Sequence, residues 1–165
     1  MQELFDGLAL YHGSYCEVKQ PNLQRRARYK DFGQGFYLTS SKEQAKSFIR
    51  TSIKKAALSG KVDENQNFVS VFRFSMNEVL NILIYPDADI EWLHCVVGHR
   101  RKNTFSEKVN EMKKYDIIAE KIANDNMNVT IVAYIALAYG EIGTKPADDM
   151  CISLLLRKIA ESVLF

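Results

Sequence analysis

Apolar and polar positions along the chain fall into short blocks whose period switches between two and 3.6. LALYHGS, residues 8–14, is an apolar run closing on Gly and Ser, the pattern of a strand entering a turn. GFYLT, 35–39, is rich in aromatic and β-branched side chains and predicts a second strand. NFVSVFRFS, 67–75, alternates and predicts a strand, as do ILIY, 82–85, stopped by Pro86, and YDIIA, 115–119. Between these blocks, Ala45, Phe48, Ile49, Ser52, Ile53, Ala56 and Ala57 recur at helical spacing and predict one buried face. Lys42, Lys46, Arg50 and Lys54 take the opposite face. Ser40 or Ser41 supplies the N-cap, Glu43 or Gln44 its capping-box partner, and Gly60 the stop. Asp89 to Val97 predicts a helix around Trp92, and Thr130–Tyr139 and Pro146–Ser162 predict two more, joined by YGEIGTKP. Helices packed on a mostly antiparallel sheet make the class α+β.

Composition narrows this picture only slightly. A chain of 165 residues with 47% apolar and 25% charged residues fits one globular domain with a real core. A net charge of +2 is too small to argue by itself for nucleic acid or membrane. Cys16, Cys95 and Cys151 are too widely spaced for a zinc pattern or a disulfide framework, so a reducing cytoplasm is the expected compartment. No apolar run approaches the roughly 20 residues that span a bilayer, and MQELFDGLALYHG lacks the build of a signal peptide.

Chemistry is carried by few stretches. DFG at 31–33 suggests a kinase, but the glycine-rich loop, the Lys–Glu pair and the catalytic loop that phosphoryl transfer needs are missing upstream. Residues 15–34 read as a long polar loop bearing Arg25, Arg26, Arg28 and Lys30, which either steer an anionic ligand or are simply solvated. His12 followed by Gly13 at a strand end offers one side-chain hydrogen bond and an unobstructed backbone. Tyr37 on a neighbouring strand offers an aromatic face; the plainer reading of both is core and sheet packing. His94, Cys95 and His99 hint at a metal, yet helical geometry sends His94 and Cys95 about 100° apart, so no metal is expected. Arg100, Arg101 and Lys102 read as a solvated helix end, and Trp92, Leu93 and Val96 as core. Asp116, Asn124 and Asp125 either belong to the family resemblance described below or fill turn and strand-end roles.

Taken together, YHGS (11–14), DFGQGFYLT (31–39), SSKEQAKSF (40–48), IEWLHCVVGHRRK (90–102) and YDIIAEKIANDNMN (115–128) resemble DUF3990, a bacterial family of unassigned function in the ADP-ribosyltransferase superfamily. The resemblance implies a single domain over 1–165, with a split antiparallel sheet and flanking helices gripping NAD as substrate. It implies that His12 bonds the adenosine ribose and that the Gly13 backbone, beside Ser14, holds the nicotinamide amide. Tyr37 would stack on the nicotinamide, Gly33 and Gly35 allowing close backbone approach; Thr39 and Ser40 follow it, and Phe48 closes the far side. His12 and Tyr37 are the implied catalytic pair, and no metal is implied. The implied reaction transfers ADP-ribose to an unknown macromolecular acceptor and releases nicotinamide. A toxin or conflict role would add a cognate inhibitor protein as partner. One departure stands out. The family's later Gln-containing strand has no counterpart after ADDMCISLLL, 147–156, so the chain is expected to be incomplete relative to the family, with Glu141 and Glu161 as substitutes. Two alternatives stay open: a catalytically silent NAD-binding or interaction module, and a nucleic-acid-binding protein using the basic stretches.

Overall fold

The computed structural model describes residues 4–21, 30–58, 60, 67–120 and 127–163. Arg25, Arg26, Arg28, Asn124, Asp125 and the Glu161 side chain lie outside the described residues. Among those described, the order is β1 (Ala9–Ser14), α1 (Lys42–Ala57), β2 (Phe68–Arg73), β3 (Ile82–Tyr85), α2 (Ile90–Arg100), α3 (Ser106–Met112), β4 (Ile117–Glu120), α4 (Met127–Ile135) and α5 (Lys145–Val163). The class is α+β. The chain divides into two compact units: residues 1–26 with 35–79, and residues 27–34 with 80–165.

In the first unit β1 and β2 pair antiparallel, in a register running from Ala9↔Arg73 to Ser14↔Phe68. Helix α1 lies on this ribbon at very short range. A Cβ on Gly13 would sit 1.8 Å from the Ala45 carbonyl oxygen and 3.1 Å from Ile49 Cγ1. Helix backbone and strand backbone therefore touch, and only glycine fits. The helix buries Ala45, Ile49, Ile53 and Ala56. Phe48, expected on that face, is instead 48% exposed. Its start is fixed by Ser41, whose Oγ accepts from the Gln44 N–H at 3.2 Å. Thr39 Oγ1 accepts from the Ser41 N–H at 3.1 Å and donates to the Gln44 side-chain oxygen. Gly60, at φ +66°, closes the far end by bonding the Ala57 carbonyl at 2.9 Å.

The second unit is built differently. Its strands β3 and β4 are parallel, from Ile82↔Ile117 to Tyr85↔Glu120. Among the described residues the strands thus form two pairs, one antiparallel and one parallel, where a mostly antiparallel sheet is expected. A parallel pair needs a long crossover, and α2 with α3 supplies it. Asp116 starts β4 by accepting from the Asn81 N–H at 2.9 Å, a strand-end role. The core gathers Trp92, Leu93, Val96 and Val97 of α2 with Ile131 and Tyr134 of α4 and Leu155 of α5. Asp148, 4% exposed, joins those three helices: its carboxylate accepts from His94 at 2.7 Å and from the Tyr134 hydroxyl.

Gly13→Ala should destabilise the first unit by about 3 kcal/mol or more, because a backbone atom blocks the new methyl. Gly35→Ala, whose Cβ would meet only Tyr37 Cε2 at 3.8 Å, should stay within about 1 kcal/mol of the parent. Denaturant titrations of both variants check the contrast.

Candidate functional site

The residues singled out around positions 12 and 37 converge on one edge of β1. Tyr11 exchanges two backbone hydrogen bonds with Thr39, N–H to carbonyl at 2.8 Å and the return bond at 3.0 Å. Continued, that antiparallel register would pair Gly13 with Tyr37. It does not continue. The Tyr11–Thr39 contact is an isolated bridge, and residues 35–38 are not a strand, contrary to expectation. In place of a ladder bond, His12 Nδ1–H donates to the Tyr37 carbonyl at 2.9 Å. The carbonyl can only accept, so Nδ1 carries the hydrogen. The His12 imidazole thus joins the two segments where the ladder stops.

Strand geometry decides which backbone groups face this edge. Backbone groups alternate between the two edges of a strand, so Gly13 directs its N–H and C=O to the same edge as Tyr11, away from β2. Tyr37 Cε2 would lie 3.8 Å from a Cβ placed on Gly35. The His12 ring packs on Phe36 with centroids 4.5 Å apart, and Phe36 meets Phe72 edge-on at 5.2 Å. Phe36 is a site residue the sequence reading passed over, because its neighbour Tyr37 carried the resemblance.

The remaining candidates separate by role. Thr39 is occupied by the α1 cap. Ser14 is buried, its Oγ 3.9 Å from Cys16 Sγ, and Ser40 is partly buried just ahead of the cap. Phe48 stands half exposed on α1. Gly33 serves a different purpose from the one expected: at φ +75° it packs on His99 of the second unit, where a Cβ would lie 2.6 Å from the ring. Glu141 is exposed, in the turn before α5.

The second unit holds the other ionisable groups. His94 stacks on Phe105 at 3.8 Å besides bonding Asp148, and His99 Nδ1–H donates to the Cys95 carbonyl at 2.8 Å. Among the described residues no group of three or more His, Cys, Asp or Glu is placed to hold a metal ion. Burial pushes the Cys95 thiol up to about 11 and the Cys151 thiol up to about 12, so both are protonated and unreactive near neutral pH. Arg100 is not a solvated helix end: it grips Asp31 with Nε and Nη2, both at 2.7 Å, and Asn128 with Nη1 at 2.8 Å. Arg101 Nη1 donates to the Ile135 carbonyl at 3.2 Å.

Glu120, at the end of β4, is the ionisable residue that sequence reasoning missed. Its Oε2 accepts from Trp92 Nε1–H at 2.7 Å. Burial pushes its carboxyl up to about 7; the Trp92 bond opposes the rise, the Asp31 charge adds to it and Arg100 opposes it. A raised folded-state pKa means the folded protein holds this proton more tightly than the unfolded chain. Its stabilisation is therefore full below about 4.5 and is lost as pH climbs to about 7. The difference amounts to about 3 kcal/mol. Denaturant unfolding of Glu120→Gln should lack this fall across the same window, while the parent should show it.

The family model described as Protein of unknown function (DUF3990) matches residues 8–165. No curated protein and no solved structure matches the chain.

Proposed function

The chain belongs to the DUF3990 family of proteins of unknown function, and we propose that it is an NAD-binding, ADP-ribosyltransferase-like protein that transfers ADP-ribose to a macromolecular acceptor and releases nicotinamide. The observation carrying this reading is the aborted register at β1. Beyond the Tyr11–Thr39 bridge the ladder stops, and the Tyr37 carbonyl accepts from His12 Nδ1–H. A carboxamide has one donor and one acceptor side, and a strand edge presenting both N–H and C=O matches it. The Tyr37 ring supplies a flat face for the pyridine, and the half-exposed Phe48 a second aromatic surface. His12, its Nδ1–H donated to the Tyr37 carbonyl, is the side chain that would meet the ribose.

The chemistry suits such a grip. Cleaving the bond between nicotinamide and ribose develops positive charge on the sugar, and a site that fixes the leaving group lowers the entropic part of the barrier. Holding the leaving group does not stabilise the sugar cation. That takes an acceptor near the ribose. One observation favours a second reading, a binding module without turnover. Residues 157–163, just after the stretch ADDMCISLLL that carries the resemblance, continue helix α5, whereas the resemblance calls for a Gln-containing strand after that stretch.

Nicotinamide release from NAD and thermal stabilisation by NAD together test both readings. The transferase reading expects release above background, cut at least about tenfold in Tyr37→Ala, a loss of about 1.4 kcal/mol of transition-state stabilisation. The binding-module reading expects a rise in Tm with NAD, about 2.7 kcal/mol at a hundredfold excess over Kd, without release. Equal background rates for parent and variant, with no shift in Tm, would reject both.

A further inference from the structure

Helix α1 carries its charge in a way that weakens the helix and gains nothing inside the fold. Lys42, Lys46, Arg50 and Lys54 follow one another at four-residue steps, and all four are exposed. Side chains four apart are neighbours on a helix, so the row holds three consecutive like-charge pairs. Lys42 also opens the helix, at the end where the dipole favours an anion. Nothing within the protein offsets this. Among the described residues none of the four takes part in an ion pair or a side-chain hydrogen bond. Glu43, the single acid of the helix, is exposed and joins none of them. Other lysines behave differently: Lys108 is held by Glu91 and Glu111, and Lys145 by Asp149.

We propose that this row is a docking surface for single-stranded nucleic acid, gripped by its phosphates without regard to sequence. Unpaired cations in a line complement a polyanion, and release of its condensed counterions drives the contact. A nucleic-acid backbone offers an anion at every residue, so an even row needs no special register. A protein partner would have to match it with carboxylates at fixed places. Lys42 and Lys54 are about 18 Å apart along the helix axis, a narrow track that one strand can follow. A duplex sets its backbones across a groove about 12 Å wide and calls for a broader patch. A lipid surface is the poorer match, because a helix that lies on a membrane needs a free apolar face. Ala45, Ile49, Ile53 and Ala56 are already buried. The basic stretch at 100–102 does not compete for this role: Arg100 is spent on Asp31 and Asn128, and Arg101 on the Ile135 carbonyl. The surface stands apart from the NAD reading and neither needs nor supports it.

The test follows a fluorescent single strand of about 20 nucleotides and mixed sequence by anisotropy, from about 50 to about 200 mM salt. The full chain is used, without NAD. Four phosphate contacts give a slope of log K against log salt of about −2.8, so affinity should fall about fiftyfold over that range. Lys46→Gln combined with Arg50→Gln should bring the slope to about −1.4. The same two changes remove all three like-charge pairs, so Tm without nucleic acid should rise by about 2 °C. Weaker binding by a more stable protein separates docking from folding. Lys145→Gln should leave affinity and slope as in the parent. No binding at the lowest salt, or parent-like binding by the α1 variant, overturns the proposal. So does binding that is lost in Arg25→Gln combined with Arg26→Gln yet kept in the α1 variant. Tighter binding of the matching duplex overturns it as well. Equal displacement of the strand by polyglutamate of the same charge overturns it in favour of an acidic protein, and tighter binding to phosphatidylserine vesicles in favour of a membrane.

Discussion

The candidate site depends on one close approach, that of the Gly13 backbone to the Ala45 carbonyl. Nothing larger than hydrogen fits between them, so α1 lies lower on β1 than side chains would allow. That depth fixes the height at which the helix begins. The Ser41 cap, with Thr39 threaded into it, then brings the preceding segment alongside Tyr11. The chain is anchored at Thr39 by two backbone bonds and a cap, and two residues earlier by an imidazole. Between those anchors the ladder does not continue.

The second unit obtains its rigidity by other means. Its two strands are only four residues each, too short to hold a sheet alone. Most of the order comes from helices tied through buried polar groups. Asp148 receives His94 and Tyr134, and the Tyr134 oxygen in turn accepts the Gly143 N–H at 2.9 Å. Burial, reinforced by the bond to Asp148, holds the Tyr134 phenol well above its ordinary pKa, so the donor never loses its proton near neutrality. Such a network orders helices because each member is satisfied, and it would be costly if any member were not.

How much of this was legible in the sequence varied with the range of the interaction. The α1 cap, the β1 and β2 strands, the α2 helix around Trp92 and the nearness of His12 to Tyr37 could all be read from local pattern or resemblance. GFYLT has strand composition and yet makes one bridge, because pairing depends on what stands opposite and a side chain took the place of the ladder. ILIY and YDIIA are short apolar blocks that carry no sign of strand direction, so their parallel pairing was hidden. Helix α3 has no counterpart in the sequence pattern: it is seven residues long and buries Met112 alone. Arg100 looked solvated because its partner lies 69 residues away, and Glu120 looked ordinary because its indole donor lies 28 residues away. Those separations are beyond any periodicity.

The distribution of sulfur has a use of its own. Cys16 is exposed just past the end of β1, whereas Cys95 and Cys151 are fully enclosed in the helical core of the second unit. An alkylating reagent therefore reacts with the intact fold at one position and must wait for local opening at the other two. The molecule carries its own clock: a fast label beside the ribbon, and two slow ones whose rates count how often the helices part.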